Sequence, residues 1–322
     1  MRRLLAVLLT LLAWPAFAQE LRVPAGMGGD GTDRAMSVLA RDALAAYRDE
    51  DRARYLATRF RLEAVAGRHA QAVATIEALR ALRGDPPTQP PLYLQYEVYA
   101  RARDTQAKRG IPFAQAWRET FAQRFGDLDD KVALQAEFSF GASVPRMRGE
   151  LDEALAKVAG RRRLPLPEAL ELLRKYQVHA TYSAFVPLFD AALKQDDARR
   201  YAIDRDAMVR TADGAHLAAL VVRPAKAPPL PALLQFTIYA NDDWAWGDAK
   251  KMAAHGYAGV VAYARGKGRS SDAIVPWEHD GADATAVIDW ISAQPWNDGR
   301  VGMFGGSHSG YVQWAASKHR PK

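Results

Sequence analysis

Residues 305–310, Gly305-Gly306-Ser307-His308-Ser309-Gly310, contain the kind of side chain that acyl transfer needs. An apolar stretch precedes this string and a helical pattern follows it, so we predict that Ser307 occupies a sharp strand-to-helix turn, a nucleophile elbow. Such a turn strains the serine backbone and requires small residues two positions to either side. The N-terminus of the following helix would offer backbone N–H groups, that of His308 first, to a developing oxyanion. The same string would also suit a glycine-rich turn with an idle serine.

A serine nucleophile needs a general base and an acid that orients the base. In enzymes built on this turn, the acid and the histidine follow the serine along the chain. Fifteen residues follow Ser307, and none is acidic. The side chain of His308 is expected to point away from that of Ser307, and His319 would lie roughly 18 Å away if the helix continued. We therefore predict that the triad Asp and His are absent from this chain.

The titratable residues that precede Ser307 fit roles at helix ends better than acid–base roles. His255 stands before Gly256 at a predicted helix end, where a capping role is expected. His279 precedes a helix and is predicted to be a capping or surface residue. Asp280 and Asp283 are expected to favour the N-terminus of that helix.

Strands and helices alternate from residue 200 onward. Strands are predicted over 203–211, 217–223, 232–238, 257–264 and 301–305, and helices over 248–255, 282–293 and 309–317. The first two strands form an antiparallel hairpin around Asp213-Gly214. The others form a parallel sheet covered on both faces. Residues 200–322 are thus predicted to be an α/β domain that stops just after the elbow.

Residues 19–199 have a different pattern and are predicted to form an all-α domain, a helix bundle or an array of helix pairs. Apolar residues recur at helical spacing over 36–82, and Gly67 is expected to be a turn between two antiparallel helices. Further helices are predicted over 92–108, 113–124, 149–159 and 166–176. The first helix pair would suit a tetratricopeptide-type repeat, but no second copy follows at a fixed period. Arg161-Arg162-Arg163 is expected to be a solvated linker.

Residues 1–18 are predicted to be a signal peptide. Two arginines precede an apolar run of about eleven residues, whereas a membrane-spanning helix needs roughly twenty. Ala16-Phe17-Ala18 supplies the small residues that a signal peptidase recognises, which favours cleavage before Gln19 over an uncleaved anchor. We expect an exported protein, periplasmic or extracellular, with no membrane span after cleavage.

The composition excludes several classes of protein. Hydrophobic residues make up 49% of the chain and charged residues 25%, as in a globular protein with a buried core. The net charge of +7 is too diffuse over 322 residues to indicate a nucleic-acid partner. The count of Cys is 0, which excludes disulfides, thiolate zinc sites and a cysteine nucleophile.

Residues from about 200 to 317 resemble the cocaine esterase/glutaryl-acylase (CocE/NonD) and X-Pro dipeptidyl-peptidase group of α/β-hydrolases. The matching segments are Asp213-Gly214, Leu233-Leu234-Gln235 leading to Tyr239, His255-Gly256-Tyr257-Ala258, Arg265-Gly266-Lys267-Gly268-Arg269-Ser270, Trp290-Ile291-Ser292-Ala293-Gln294-Pro295-Trp296, and Gly299-Arg300-Val301-Gly302-Met303-Phe304-Gly305-Gly306-Ser307. The resemblance covers a little over a third of the chain and leaves the helical half outside it.

This resemblance implies roles for three residues. Ser307 would be the acyl-accepting nucleophile, and the oxyanion hole would consist of the Tyr239 hydroxyl and the His308 backbone N–H. Tyr239 also falls at the carboxyl end of a predicted strand, where sites of α/β proteins assemble. From the residues alone it could also be an aromatic packed over the sheet edge, the less favoured of the two interpretations. The family usually has Tyr after the serine, and His308 at that position alters the expected shape of the pocket.

Two function hypotheses follow. The first is a secreted serine hydrolase that cleaves an ester or amide bond of a small molecule or short peptide through an acyl-enzyme on Ser307. This chain would be a fragment of that enzyme, inactive alone, and the serine mechanism requires no metal or cofactor. The second is a catalytically inactive exported protein whose helical domain binds a partner. Residues 241–246 could be a pocket rim or exposed loop aromatics. Phosphate binding by residues 266–270 is a minor further idea, because the P-loop spacing is missing.

Overall fold

A computed structural model describes residues 19–320, so the predicted signal peptide, residues 1–18, lies outside the described residues. The chain divides into two compact units. The first consists of the described residues up to Gly84 together with Ser143–Ala184. The second consists of Asp85–Ala142 together with the described residues from Phe185 onward.

The predicted all-α region is helical in the structure. Its helices are α1 (Thr32–Ala46), α2 (Arg52–Val65), α3 (His69–Arg83), α4 (Leu94–Arg109), α5 (Phe113–Gly126), α6 (Asp130–Glu137), α7 (Val144–Val158) and α8 (Leu166–Arg200). Two short strands, β1 (Glu20–Arg22) and β2 (Arg163–Pro165), pair antiparallel. None of the helices described within residues 19–320 is long and apolar enough to cross a membrane.

The first unit packs α1, α2, α7 and the beginning of α8 around an aliphatic core. Met36, Leu39, Leu62 and Leu172 are among its buried side chains. The prediction of two helices over residues 36–82 was wrong, because the structure has three. Gly67, with φ 78, is the turn between α2 and α3. The break between α1 and α2 has neither Gly nor Pro. Instead Asp51 begins α2 by accepting the Arg54 N–H at 3.0 Å.

The helices of the second unit pack around aromatic rings. The fully buried rings belong to Trp117, Phe121, Phe125, Phe140 and Phe185, and those of Phe121 and Phe125 stack at 4.1 Å. The prediction missed α6 and ended α8 at residue 176, whereas α8 continues through Pro187 to Arg200.

The second unit also contains the sheet. Its elements are β3 (Tyr201–Arg210), β4 (His216–Pro224), β5 (Leu230–Thr237), α9 (Asp242–Ala254), β6 (Ala258–Tyr263), α10 (Asp280–Ser292), β7 (Asn297–Met303) and α11 (His308–Ser317). The strand order is β3-β4-β6-β5-β7. The β3–β4 and β4–β6 pairs are antiparallel, and β5 is parallel to both β6 and β7. This confirms the predicted hairpin followed by parallel strands.

Helices cover both faces of the sheet because successive side chains of each strand point to opposite faces. In β4, Ala218, Leu220 and Val222 pack with α9. Leu217, Ala219 and Val221 belong to the cluster on the other face, which also contains side chains of α10 and α11. The three parallel strands therefore end at one edge, between these helical layers.

Candidate active site

Ser307 lies between the end of β7 and the first residue of α11, with φ 55 and ψ −126. A non-glycine residue at positive φ is strained, and such strain is typical of functional turns. Ser307 is exposed, and its hydroxyl makes no hydrogen bond to a protein group among residues 19–320. The structure thus gives Ser307 the backbone conformation that the glycine-rich string predicts.

Small residues allow this turn to form. Gly305 has φ 130, and a Cβ added to it would lie 2.5 Å from the Cβ of Ser309. Real carbon atoms do not approach so closely, so position 305 must be glycine as long as the turn keeps this shape. The carbonyl of Ser307 accepts the N–H groups of Gly310 and Tyr311, at 3.0 and 3.1 Å. Within residues 19–320, no acceptor contacts the backbone N–H of His308, which remains available at the helix N-terminus.

Tyr239 follows β5, the strand next to β7. Because β5 and β7 are parallel, with Leu234 beside Met303, both strands end at the same edge of the sheet. The backbone N–H of Tyr239 donates to Thr237 Oγ1 at 3.0 Å, and its side chain is 51% exposed. Among the described residues its hydroxyl has no hydrogen-bond partner. Tyr239 and Ser307 are therefore on neighbouring strand ends, each with an exposed hydroxyl.

The imidazole of His308 is turned into the protein, with 2% of the residue exposed. Its Nε2 lies 3.1 Å from Asp280 Oδ2, and the same carboxylate oxygen accepts the backbone N–H of Trp277 at 3.0 Å. The side chain of His308 therefore does not face the hydroxyl of Ser307. Asp280 is in the first turn of α10, as predicted, but no sequence pattern indicated that it would contact His308.

No other histidine in the described residues contacts Ser307 either. The expected distance between His319 and Ser307 assumed that the helix continues to His319, but α11 ends at Ser317. His319 Nε2 lies 3.0 Å from where a Cβ of Gly281 would be. His279 is at the N-cap of α10 without a capping hydrogen bond from its side chain. His255 is the C-cap of α9, and its Nδ1 lies 2.8 Å from the Lys251 carbonyl.

A buried arginine positions the loop that follows β6. The Arg265 guanidinium binds both carboxylate oxygens of Asp283, at 2.7 and 2.8 Å, and Asp213 at 2.7 Å. Its hydrogen bonds hold the pKa of Asp213 well below the ordinary range. Asp283 is thus an ion-pair partner as well as a first-turn residue of α10. The arginine connects the hairpin turn, the β6 loop and α10.

In the loop over residues 266–270, the backbone N–H groups of Gly266, Lys267 and Ser270 already donate to the carbonyls of Ser271, Ala264 and Lys267, so they are not open to a phosphate. Arg269 pairs with Asp206 at 2.7 Å. Ser270 Oγ donates to the Tyr263 carbonyl at 3.0 Å and accepts the Ala218 N–H at 2.9 Å. A Cβ on Gly266 would lie 2.7 Å from the backbone nitrogen of Ile274. The loop glycines are thus explained by close packing.

Residues 241–246, expected to be a pocket rim or a loop, form the cap and first turn of α9. Asn241 accepts the Trp244 N–H at 2.9 Å, which starts the helix at Asp242, six residues before the predicted start. Trp244 is exposed, whereas Trp246 is partly buried against the α9 face of the sheet. No group of three or more His, Asp or Glu side chains within residues 19–320 could hold a metal ion.

Trp277 is the residue of this edge that the sequence did not single out. It has φ 75, and its ring packs 5.4 Å from that of His308 and 4.6 Å from that of Tyr311. Its only sequence signal is an aromatic residue beside Pro276 in a loop after a parallel strand. That signal is too general to identify a site.

Comparisons with known proteins agree with the earlier resemblance. The chain is 38% identical to cocaine esterase from Rhodococcus sp. (strain MB1 Bresler) over 122 residues, which are 36% of this chain and 21% of the esterase. It thus spans about a fifth of the length of this curated relative.

Solved structures of similar proteins include a CocE/NonD family hydrolase from Staphylococcus aureus, at 22% identity and TM-score 0.34, covering 38% of this chain and 26% of that one. An α-amino acid ester hydrolase is 28% identical with TM-score 0.33, covering 37% of this chain and 24% of that one. Residues 213–322 match the X-Pro dipeptidyl-peptidase (S15) family. Residues 213–322 are therefore similar to hydrolases of the X-Pro dipeptidyl-peptidase and cocaine esterase group, in agreement with the sequence motifs.

Proposed function

We propose that the protein is a serine hydrolase that cleaves an ester or amide bond through an acyl-enzyme on Ser307. The observation that carries this proposal is the strained backbone of Ser307, with φ 55 and ψ −126, between a parallel strand and a helix N-terminus. Such a turn presents the hydroxyl outward while the helix N-terminus lies beneath it. The match of residues 213–322 to the X-Pro dipeptidyl-peptidase (S15) family supports the same chemistry.

In this mechanism Ser307 Oγ attacks the substrate carbonyl carbon while a base takes its proton. The carbonyl oxygen becomes an oxyanion that accepts hydrogen bonds from the His308 backbone N–H and the Tyr239 hydroxyl. Collapse of the tetrahedral intermediate expels the alcohol or amine, which receives the proton, and leaves an acyl group on Ser307. Water then releases the acid by the same route in reverse.

The general base and its acid partner would come from parts of the protein outside residues 19–320. The His308 ring is buried against Asp280, and no described histidine contacts the Ser307 hydroxyl. The chain spans 21% of the matched cocaine esterase, which leaves room for both residues in a longer protein. The described residues would then supply the nucleophile and the oxyanion hole but not the proton transfer.

The proposed substrate is a small ester or amide, or a short peptide, in keeping with the names of the relatives: a cocaine esterase, an amino acid ester hydrolase and an X-Pro dipeptidyl-peptidase family.

We also propose that the protein acts outside the cytoplasm, on the basis of the predicted signal peptide in residues 1–18.

The first experiment is to read the DNA beyond codon 322 in every frame and to express the intact protein. A continued α/β pattern with a late Asp and His is expected. Hydrolysis of p-nitrophenyl acetate and labelling by a fluorophosphonate should both occur in the intact protein. Ser307→Ala should abolish the labelling and lower kcat by at least about 10³-fold. Ser317→Ala, at the end of the same helix, is the matched control. Hydrolysis and labelling that survive Ser307→Ala would overturn the proposal.

One observation favours the alternative of a non-catalytic binding protein. The first compact unit contains a cleft of about 1110 Å³ between the residues before α1 and the helices α7 and α8. Arg22, Asp33, Tyr176 and His179 line it. A clean stop after codon 322, together with a stable monodisperse product that is not labelled by fluorophosphonate, would favour this second function.

A further inference from the structure

The loop between β6 and α10 presents one large aromatic side chain to solvent next to the candidate nucleophile. Trp277 is 56% exposed. Its ring spans the beginning of α11, contacting the rings of His308 and Tyr311 at centroid distances of 5.4 and 4.6 Å. His308 follows Ser307 directly, and the Tyr311 N–H donates to the Ser307 carbonyl. The indole therefore contacts two side chains in the first helical turn after the nucleophile.

Trp277 is held in place through its backbone as well as its ring. Its N–H donates to Asp280 Oδ2 at 3.0 Å, and its carbonyl accepts the Tyr311 hydroxyl at 3.3 Å. The oxygen that accepts the Trp277 N–H also lies 3.1 Å from His308 Nε2. One carboxylate thus connects the Trp277 loop to the residue that follows the nucleophile. Hydrogen bonds at both the N–H and the carbonyl of Trp277 therefore restrict movement of the loop relative to Ser307.

The backbone conformation of Trp277 argues against a purely structural role. Its φ of 75 is unfavourable for a bulky residue, and Gly or Asn would adopt it at lower cost. A tryptophan that serves only to fill the core would bury its ring, yet more than half of this side chain faces water. Strain combined with an exposed, rigidly held aromatic surface is the pattern of a ligand contact.

We propose that Trp277 is a specificity-determining residue of the Ser307 site, whose indole stacks against a planar apolar ring of the substrate beside the scissile bond. This inference rests on the proposed function and adds a substrate class to it: esters or amides that carry an aromatic ring on the acyl or the alcohol side. A rigid aromatic face costs little ordering entropy when it binds such a ring.

Kinetics of the intact protein on three esters test the proposal. Ethyl acetate has no ring, ethyl benzoate has a ring on the acyl side, and benzyl acetate has one on the alcohol side. Trp277→Ala should lower kcat/KM by 10-fold or more for at least one ring-bearing ester and by less than 3-fold for ethyl acetate. Trp277→Phe should restore most of the loss. An equal loss on all three esters, or no loss on any, would overturn it.

Tyr257→Ala is the matched control. Tyr257 is an exposed aromatic residue just before β6, at the opposite edge of the sheet from Ser307. It should leave the ratio between ring-bearing and ring-free esters unchanged.

A binding measurement separates failure of this inference from failure of the proposed function. In the Ser307→Ala background, titration calorimetry with benzyl acetate and with ethyl benzoate reports ring binding without turnover. Adding Trp277→Ala should raise the Kd of at least one of them 5-fold or more. No saturable binding, or Kd values that do not change, would overturn the role of Trp277. If wild-type protein hydrolyses none of the esters but shows the Trp277-dependent binding, the proposed function fails and the aromatic site stands.

Discussion

At the junction of α9 with α6 and α8, Lys250 is 3% exposed and pairs with Glu137 at 2.6 Å and Asp197 at 2.7 Å. At the carboxyl edge of the sheet, in the same compact unit, Ser307 and Trp277 have positive φ and exposed side chains. The junction satisfies its charges and carries no backbone strain at these residues. The sheet edge keeps strain and leaves a hydroxyl without a partner among the described residues. The comparison separates what holds the unit together from what is available for chemistry.

A buried arginine, Arg200, forms ion pairs close to this junction. Arg200, at the end of α8, binds Asp196 and Asp130 and donates to the carbonyls of Leu128 and Phe125. Its guanidinium thus satisfies backbone carbonyls at the end of α5 and in the segment between α5 and α6. Arg200 directly precedes the first residue of β3. A buried ion pair of this kind contributes little net stability against an apolar pair, but the loss of one partner is costly.

The largest expected effect is at the junction. Lys250→Ala should lower the free energy of unfolding by about 3–5 kcal/mol, because it leaves Glu137 and Asp197 close together without their cation. Urea denaturation followed by circular dichroism measures this loss. The exposed neighbour Lys251 is the control, and Lys251→Ala should change stability by less than about 0.5 kcal/mol. Similar effects of the two variants would remove the distinction between the two regions.

The next effect is at the elbow. Gly305→Ala should lower the free energy of unfolding by about 1–3 kcal/mol, because the new Cβ would lie 2.5 Å from that of Ser309. Gly306→Ala is the matched control, since nothing lies within 4 Å of its Cβ position and its φ is not positive. Chemical denaturation of both variants checks the difference, and equal stabilities would contradict the geometry of the turn.

A smaller effect of opposite sign is expected at Ser307 itself. Ser307→Gly should raise the free energy of unfolding by about 1 kcal/mol, because glycine adopts positive φ without the cost that serine has. Ser307→Ala retains the Cβ and should give no such gain. Thermal unfolding of the two variants side by side measures the strain at the nucleophile. A gain of the same size in both would attribute the effect to the hydroxyl.

The smallest expected effect is a difference in pH dependence. Burial raises the pKa of Glu137, an effect that Lys250 opposes. A carboxyl group with a raised pKa favours folding below its ordinary value of 4.5, and this contribution is lost as the pH rises through the folded-state pKa. The stability of wild type relative to Glu137→Gln should therefore fall as the pH increases above about 4.

Asp213, at the sheet edge, should show the opposite sign. Hydrogen bonds from Arg265 lower its pKa, so its contribution is present above its ordinary pKa of 3.8 and is lost as the pH falls. The stability of wild type relative to Asp213→Asn should rise with pH over the acid range. Urea titrations between about pH 2 and 7 check both trends. The same slope for both variants would contradict the assignment of these causes.

Local patterns were sufficient to predict the sharp turn at Ser307 and the succession of a hairpin, parallel strands and helices along the chain. Gly305 and Ser307 define the turn through short-range sterics, and the alternation of strands with helices defines a parallel sheet. The start of α9 was missed because Asn241 caps a turn whose Trp residues also suit a loop. The end of α8 was missed because Pro187, a strong helix breaker in isolation, is tolerated inside this helix.

The long-range contacts between buried polar side chains could not be predicted from the sequence. Asp280 and His308 are 28 positions apart, and nothing in their local context distinguishes a buried pair from a capping aspartate and a surface histidine. The same holds for Lys250 with Glu137, which the chain separates by more than a hundred residues. Such pairs depend on tertiary packing, which periodicity does not encode.

The position of β7 in the sheet has a consequence for hydrogen exchange. Among the described residues, β7 pairs only with β5, and it contains Gly299 and Gly302. In a chain of these residues alone, a strand bonded on one side opens more readily than an interior strand, so the amides of β7 should exchange before those of β5 and β6. Further strands of the continued α/β pattern expected in the intact protein would raise the protection of these amides. Opening of β7 would also release the torsional strain of Ser307, which favours that motion. In exchange experiments on the 322-residue chain, the amides around the nucleophile should therefore lose protection before those of the central strands.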